Sequence, residues 1–279
     1  MFRRRAPWPP RPPPVDVLHT VSRSDLGVFA LGLVIAGAVS GLAAGVLGVG
    51  GGVVIVPVLY HVMTALGVDA GVRMPMAIGT SAAAMIPAAL THVQNNRIGR
   101  PQLRTALVAV SVGAAAGAAA AAFAGGIPVA SVFAMAAAPV VYFLAMDRPL
   151  AATIDAGKES SAFAALAGFA AAMTGIAAGT IRRAVLGDEN RARAAALTLA
   201  AAIVGTIALV VAGWNVPTRP PESAGYVNLL AFALIAPVLV ATEPAGAALA
   251  HLMDLRRLRI VFAVLIAIAT ARMLWDALW

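Results

Sequence analysis

The chain has 279 residues, 61% of them hydrophobic and only 11% charged, with a formal net charge of +8. Soluble domains carry about 25% charged residues, so this composition, with a mean hydropathy of +0.89, excludes a soluble enzyme or binding domain and indicates an all-α integral membrane protein. No cysteine is present, which removes thiolate catalysis, cysteine-held metals and disulfides. His19, His61, His92 and His251 lie far apart, so neither a metal site nor a cofactor is expected.

In chain order, residues 1–25 hold Arg3, Arg4, Arg5, Arg11 and Arg23 among a cluster of prolines, a composition that packs no core and predicts a disordered tail. Apolar segments follow at roughly 26–47, 53–66, 74–91, 103–123, 127–145, 160–178, 194–212, 225–242 and 258–276. A spanning helix needs about 20 apolar residues, which makes about eight transmembrane helices of these segments. They divide into a first membrane repeat over 26–145, a cytoplasmic linker over 146–160 and a second membrane repeat over 161–279. The opening apolar stretch is too long for the h-region of a cleaved signal peptide.

The run Gly48-Val49-Gly50-Gly51-Gly52 interrupts that stretch. Each glycine lowers helix stability by about 1 kcal/mol relative to alanine. Open backbone groups are tolerated at membrane depth only where protein buries them or where they line a cavity. Residues 26–66 therefore read as a broken or re-entrant helix. A fainter copy follows 127 residues later, with Gly41 to Gly52 aligning on Gly168 to Gly179, which makes 160–187 the counterpart. Broken helices at matching places in two halves point to a transporter's binding site.

Loop charge gives the orientation. The loops at 92–104, 145–160, 181–193 and 243–259 carry twelve basic residues, against two (Arg73 and Arg219) in 67–73, 124–128 and 213–225. The first set is thus read as cytoplasmic, the positive charge as topological rather than a nucleic-acid footprint, and 160–187 as entering and returning. The two halves then have inverted topology. If 26–66 also enters and returns, the Arg-rich tail lies outside, against its own charge; an odd number of crossings in that stretch is the alternative.

Several runs together resemble the TauE/SafE family of membrane proteins. They are Gly48-Val-Gly-Gly-Gly52-Val-Val-Ile-Val-Pro57-Val-Leu59, Ala77-Ile-Gly-Thr80-Ser81 and Arg97-Ile-Gly99 in the first half. In the second they are Pro220-Pro221 with Gly225-Tyr226, Pro244-Ala-Gly246 with His251, and Leu255-Arg-Arg-Leu258. The second half departs from the family pattern, reading Ala177-Ala178-Gly179 for the glycine triplet and Ala195-Ala-Leu197-Thr198 for the Ala-x-x-Thr-Ser signature. The resemblance implies a transporter of small anions, typically sulfur oxyanions or organosulfonates.

Candidate anion ligands follow from the breaks. Gly48, Gly50, Gly51 and Gly52 offer backbone N–H groups at a helix N-terminus; close helix packing is the plainer role. Thr80 and Ser81, and Thr174 and Thr180 flanking Gly175 and Gly179, offer hydroxyls, unless these bond back to the preceding turn. Arg182 and Arg183 could pair with a sulfonate, or snorkel from a cytoplasmic loop. His92 is the candidate for gating or proton coupling, with a solvated helix end as the alternative. His61, on an apolar stripe, reads as a satisfied core histidine, and Asp69, Glu222 and Glu243 as solvated loop charges.

The expectation is a secondary transporter, not an enzyme, exporting a small anion by alternating access from a site between the two broken helices. Its partners are the lipid bilayer, the anion and a coupling ion (H+ or Na+), with no nucleic acid, and its place a bacterial inner membrane. No Gly-Lys-Ser/Thr follows Gly52, so there is no P-loop to bind nucleotide. A non-transporting scaffold that kept the fold is the alternative.

Overall fold

The computed structural model describes residues 23–47, 50–95, 100–124, 126–150, 161–187, 190–252 and 254–278. The tail before residue 23, Gly48 and most of the 146–160 linker lie outside them. The described helices are α1 (Arg23–Leu47), α2 (Gly52–Ala65), α3 (Ala70–Asn95), α4 (Arg100–Ala124), α5 (Gly126–Met146), α6 (Ser161–Thr174), α7 (Ala178–Leu186), α8 (Arg191–Gly213), α9 (Leu229–Leu252) and α10 (Leu255–Leu278). A short antiparallel hairpin, β1 (Ser223–Ala224) with β2 (Val227–Asn228), precedes α9.

Seven helices, all but α2, α6 and α7, are long and apolar enough to cross a membrane. At 14 residues each, α2 and α6 rise only about 21 Å, short of the roughly 30 Å hydrocarbon core. The protein is therefore an all-α, multi-pass membrane protein, whose seven candidate spans and shorter apolar helices among the described residues agree with the eight or so expected. Helix α3 is the most enclosed of the seven, 67% of its apolar window being buried, against 22% for α10.

The helices break where the glycines predict, between Leu47 and Gly52 and between Thr174 and Ala178. Two boundaries differ from expectation. The segment read as a span from 225 opens with the hairpin, and α9 starts only at Leu229. It then runs through Pro237 and Pro244 to Leu252, so Glu243 stands on a helix rather than in a loop. Membrane helices tolerate such prolines because neighbouring groups satisfy the freed backbone. The 181–193 stretch, also read as a loop, carries the last turns of α7, with Arg182 and Arg183 on them.

Glycines set the closest helix contacts. A Cβ on Gly41 would lie 2.3 Å from the Leu239 carbonyl oxygen, and one on Gly168 would lie 2.1 Å from that of Val110. Helix α1 thus meets α9, and α6 meets α4, backbone against backbone, as small residues permit in membranes. In the reverse sense, a Cβ on Gly246 would lie 2.4 Å from the Leu42 oxygen and one on Gly117 would lie 2.1 Å from that of Phe169. Leu42 and Phe169 again stand 127 residues apart. The remaining neighbours match in the same way: α2 packs on α3 and α10, and α7 on α8 and α5.

Both broken elements double back. Gly51 lies against Ser40, eleven residues earlier, so α2 returns beside α1. Helix α7 ends at Gly187, whose left-handed φ of 72° closes the helix against Pro149, just past the end of α5.

Candidate functional site

The two breaks meet inside the bundle. Gly50 N donates to Thr180 Oγ1 at 2.6 Å, and Ser81 Oγ donates to the Gly175 carbonyl at 3.0 Å. A Cβ on Gly52 would lie 2.0 Å from that same carbonyl oxygen, so position 52 admits only glycine without moving backbone. Gly175 takes a φ of 70°, a conformation glycine adopts at no steric cost, and this bends the chain from α6 toward α7.

Beside this joint lies a cavity of about 330 Å³. Gly50, Gly51, Ala177, Gly179, Thr180 and Thr198 line its buried end, where Thr180 is 2% and Thr198 8% exposed. Gly51 caps the N-terminus of α2 and Ala177 that of α7, so two half-helices turn their positive dipole ends to one space. Gly179 N donates to Thr198 Oγ1 at 2.9 Å. Thr180 and Thr198 thus each accept a backbone N–H. Neither hydroxyl donates to another described residue, so each keeps an O–H directed by nothing but the cavity.

The open end carries the charges: Arg183, Arg191, His92 and Glu243 all line it. The Arg183 guanidinium stands over the Phe143 ring, 5.6 Å from its centre, a cation–π contact that holds it in place. His92 Nε2 lies 2.5 Å from Glu243 Oε1, tying α3 to α9. Glu243 is the one carboxylate among the described lining residues, and an imidazole occupies it. The other charged residues of the lining, Arg183 and Arg191, are both arginines.

Of the sequence candidates, Gly50, Gly51, Gly179, Thr180, Arg183 and His92 line the cavity. Gly52, Ser81 and Gly175 form the joint behind it. Thr80 accepts the backbone N–H of Asn228 at 2.9 Å, under the hairpin. Thr174 donates back to the Ala170 carbonyl at 2.5 Å. Arg182 is 1% exposed and not among the lining residues; Gly48 lies outside the described residues. Sequence reasoning missed Thr198, Arg191 and Glu243. The first was visible as the remnant of the Thr-Ser signature, the second was counted only as topological charge, and the third was hidden by Pro244. His61, expected to be a satisfied core histidine, instead faces Asp276 with its Nδ1, 3.3 Å from Oδ2, while its Nε2 is buried without a partner among the described residues.

A family model described as Sulfite exporter TauE/SafE matches residues 33–273. A Haemophilus influenzae protein named Probable membrane transporter protein is 25% identical over 258 residues, covering 88% of this chain and 98% of its own length. No solved structure matches the chain at a significant level. The ordered glycine, Thr-Ser and Pro-Gly signatures lie within the matched region, and the chain belongs to the Sulfite exporter TauE/SafE family of membrane transporters.

Proposed function

We propose that this transporter exports a small anion (sulfite, an organosulfonate, or a related oxyanion or carboxylate) across a bacterial inner membrane. It does so by alternating access between two inverted repeats, with the anion held where the two breaks meet. The observation that carries this reading is the convergence of the α2 and α7 N-termini on one cavity that also presents two undirected hydroxyl donors.

An anion leaving water needs donors in place of its hydration shell. Helix N-termini provide them with about half an elementary charge each, which avoids burying a full counter-charge. Thr180 and Thr198 add O–H donors at the same end. Arg183 and Arg191, nearer solvent, draw anions to the entrance and are suited to paired hydrogen bonds with a sulfonate. The matched contacts of Gly41 with Leu239 and Gly168 with Val110 support two exchangeable halves. The charged rim lies on the side whose loops are basic, and charge bias makes that side cytoplasmic. The arrangement is thus the inward-facing one, where an exported anion loads. The hairpin over Thr80 closes the other side, and the His92–Glu243 pair is the inner latch that tightens or parts as the halves move. An H+ or Na+ gradient drives the cycle.

The test is transport of labelled sulfite and a small labelled sulfonate in proteoliposomes of the purified protein. Replacing both cavity hydroxyls (Thr180→Val with Thr198→Val) keeps shape but removes the donors, and apparent affinity falls by about 100-fold, roughly 1.4 kcal/mol for each hydroxyl. Unchanged affinity sinks the site. A bound anion also raises thermal stability by RT ln(1 + [L]/Kd). No shift with oxyanions, sulfonates or carboxylates, together with no flux, would favour the scaffold alternative.

A further inference from the structure

We propose that His61 and Asp276 form a proton-binding site between α2 and α10, and that proton uptake there moves the helix whose other end forms the anion cavity. Helix α2 starts at the cavity with Gly51 and Gly52 and carries His61 nine residues on, about 14 Å away along its axis. Facing it, α10 presents Arg272 and Asp276, one helical turn apart. The Asp276 carboxylate bridges the helices, with Oδ2 3.3 Å from His61 Nδ1 and Oδ1 3.4 Å from Arg272 Nε.

The geometry orients the ring. With Nδ1 toward the carboxylate, a neutral imidazole keeps its hydrogen there and leaves a lone pair on Nε2, which is buried and has no partner among the described residues. A proton arriving on Nε2 turns that atom into a buried donor with no acceptor, which costs its full desolvation. The protonated ring therefore selects a different seating of α2 against α10, one in which Nε2 reaches water or an acceptor. Helix α2 is continuous through Pro57, so reseating its far end displaces Gly51 and Gly52 at the joint.

The other charges around the ring complete the site. On α2 the Tyr60 ring stands edge-on to His61, with ring centres 5.7 Å apart. From α3, Arg73 interacts with Tyr60 and is anchored by its Nε donating to the Val68 carbonyl at 2.5 Å. Helix α1, the remaining neighbour of α2, brings no titratable side chain between residues 27 and 47. The Asp276 carboxylate thus sits between His61 and Arg272, with Arg73 held beside the neighbouring Tyr60. A proton site near the turn joining α2 to α3, away from the basic loops, suits exchange of an incoming proton for an outgoing anion. Only this direction rests on the transport reading above.

The experiment needs no substrate. The chain has no cysteine, so spin labels at Ala65→Cys and Ala271→Cys, both exposed positions at these helix ends, report the α2–α10 separation in nanodiscs by pulsed electron resonance. Between pH about 5 and about 8, the range over which histidine titrates, the distance distribution should shift by about 2 Å or more, the scale of helix shifts in switching. H61Q should abolish the shift, and His251→Gln should retain it. A pH-independent distribution, or the same shift in H61Q, overturns the proposal. If H61Q does not fold, the ¹⁵N-histidine resonances of the unsubstituted protein decide. A His61 titration that tracks the distance change supports the site, and a ring whose protonation does not track it refutes the site. Neither readout involves anion flux, so failure here is separable from failure of the transport reading.

Discussion

The two breaks look like a strong motif and its faded copy, but their contacts show a division of labour. Among its described residues the first contributes backbone alone: Gly50 gives an N–H to Thr180, and Gly52 gives room to the Gly175 carbonyl. The second keeps glycine only at the bend (Gly175) and under α8, where a Cβ on Gly179 would lie 2.6 Å from the Ala194 oxygen. Elsewhere it carries side chains: Ala177 against Gly50, Thr180 into the cavity, Arg183 at the rim. Where Gly50 meets Ala177, one partner is bare so that the other need not be, whereas Gly52 and Gly175 are both bare. The glycine missing at position 177 is therefore a consequence of the one present at position 50.

The largest expected effect falls where bare backbone meets bare backbone. Gly52→Ala drives a methyl group into the Gly175 carbonyl, and since neither partner is a flexible side chain, the loss should be about 3 kcal/mol or more, read as a fall in melting temperature or in the yield of folded protein. Gly50→Ala is the milder case, because the obstacle is the Ala177 methyl, 2.4 Å from the new Cβ. It should cost about 1–3 kcal/mol, and Ala177→Gly in the same chain should recover most of that. Such a swap moves a glycine from one break to the other. A double-mutant cycle that finds the two substitutions additive would break the comparison, since touching residues couple by about 0.5–3 kcal/mol.

The breaks were legible because glycine costs a helix too much to be incidental, and the helix boundaries followed from apolar length except at the two ends of α9 and the C-terminal end of α7. What the sequence hid was the fate of polar groups. Pro244 reads as a helix end, so Glu243 looked like loop charge; in the fold α9 passes through the proline and turns Glu243 onto His92, 151 residues away. The apolar Tyr226, Val227 and Leu229 read as the start of a span. Yet Gly225 sits at a φ of 56° against the Val210 carbonyl, and the chain forms a hairpin there first. His61 could be placed on an apolar stripe, but not opposite Asp276. Each of these depends on a partner far off in sequence, which periodicity does not encode.

The hydroxyls give the smallest effects and the sharpest contrast. Thr174 and Thr180 lie six residues apart on either side of the second break, and sequence alone ranks them together. Thr174 has spent its hydrogen on the Ala170 carbonyl one turn back and also accepts the Ile176 N–H at 3.3 Å. Among the described residues Thr180 only accepts, from Gly50, and its own hydrogen is left to the cavity. Thr180→Val should therefore weaken apparent anion affinity by about tenfold, the equivalent of roughly 1.4 kcal/mol. Thr174→Val removes a local back-bond of the kind that stabilises membrane helices little, and should leave affinity within about twofold, well under 1 kcal/mol. Measured side by side in the same liposomes, equal losses would mean that the donors of the second break do not meet the anion, and the site would have to be sought in the backbone of the first.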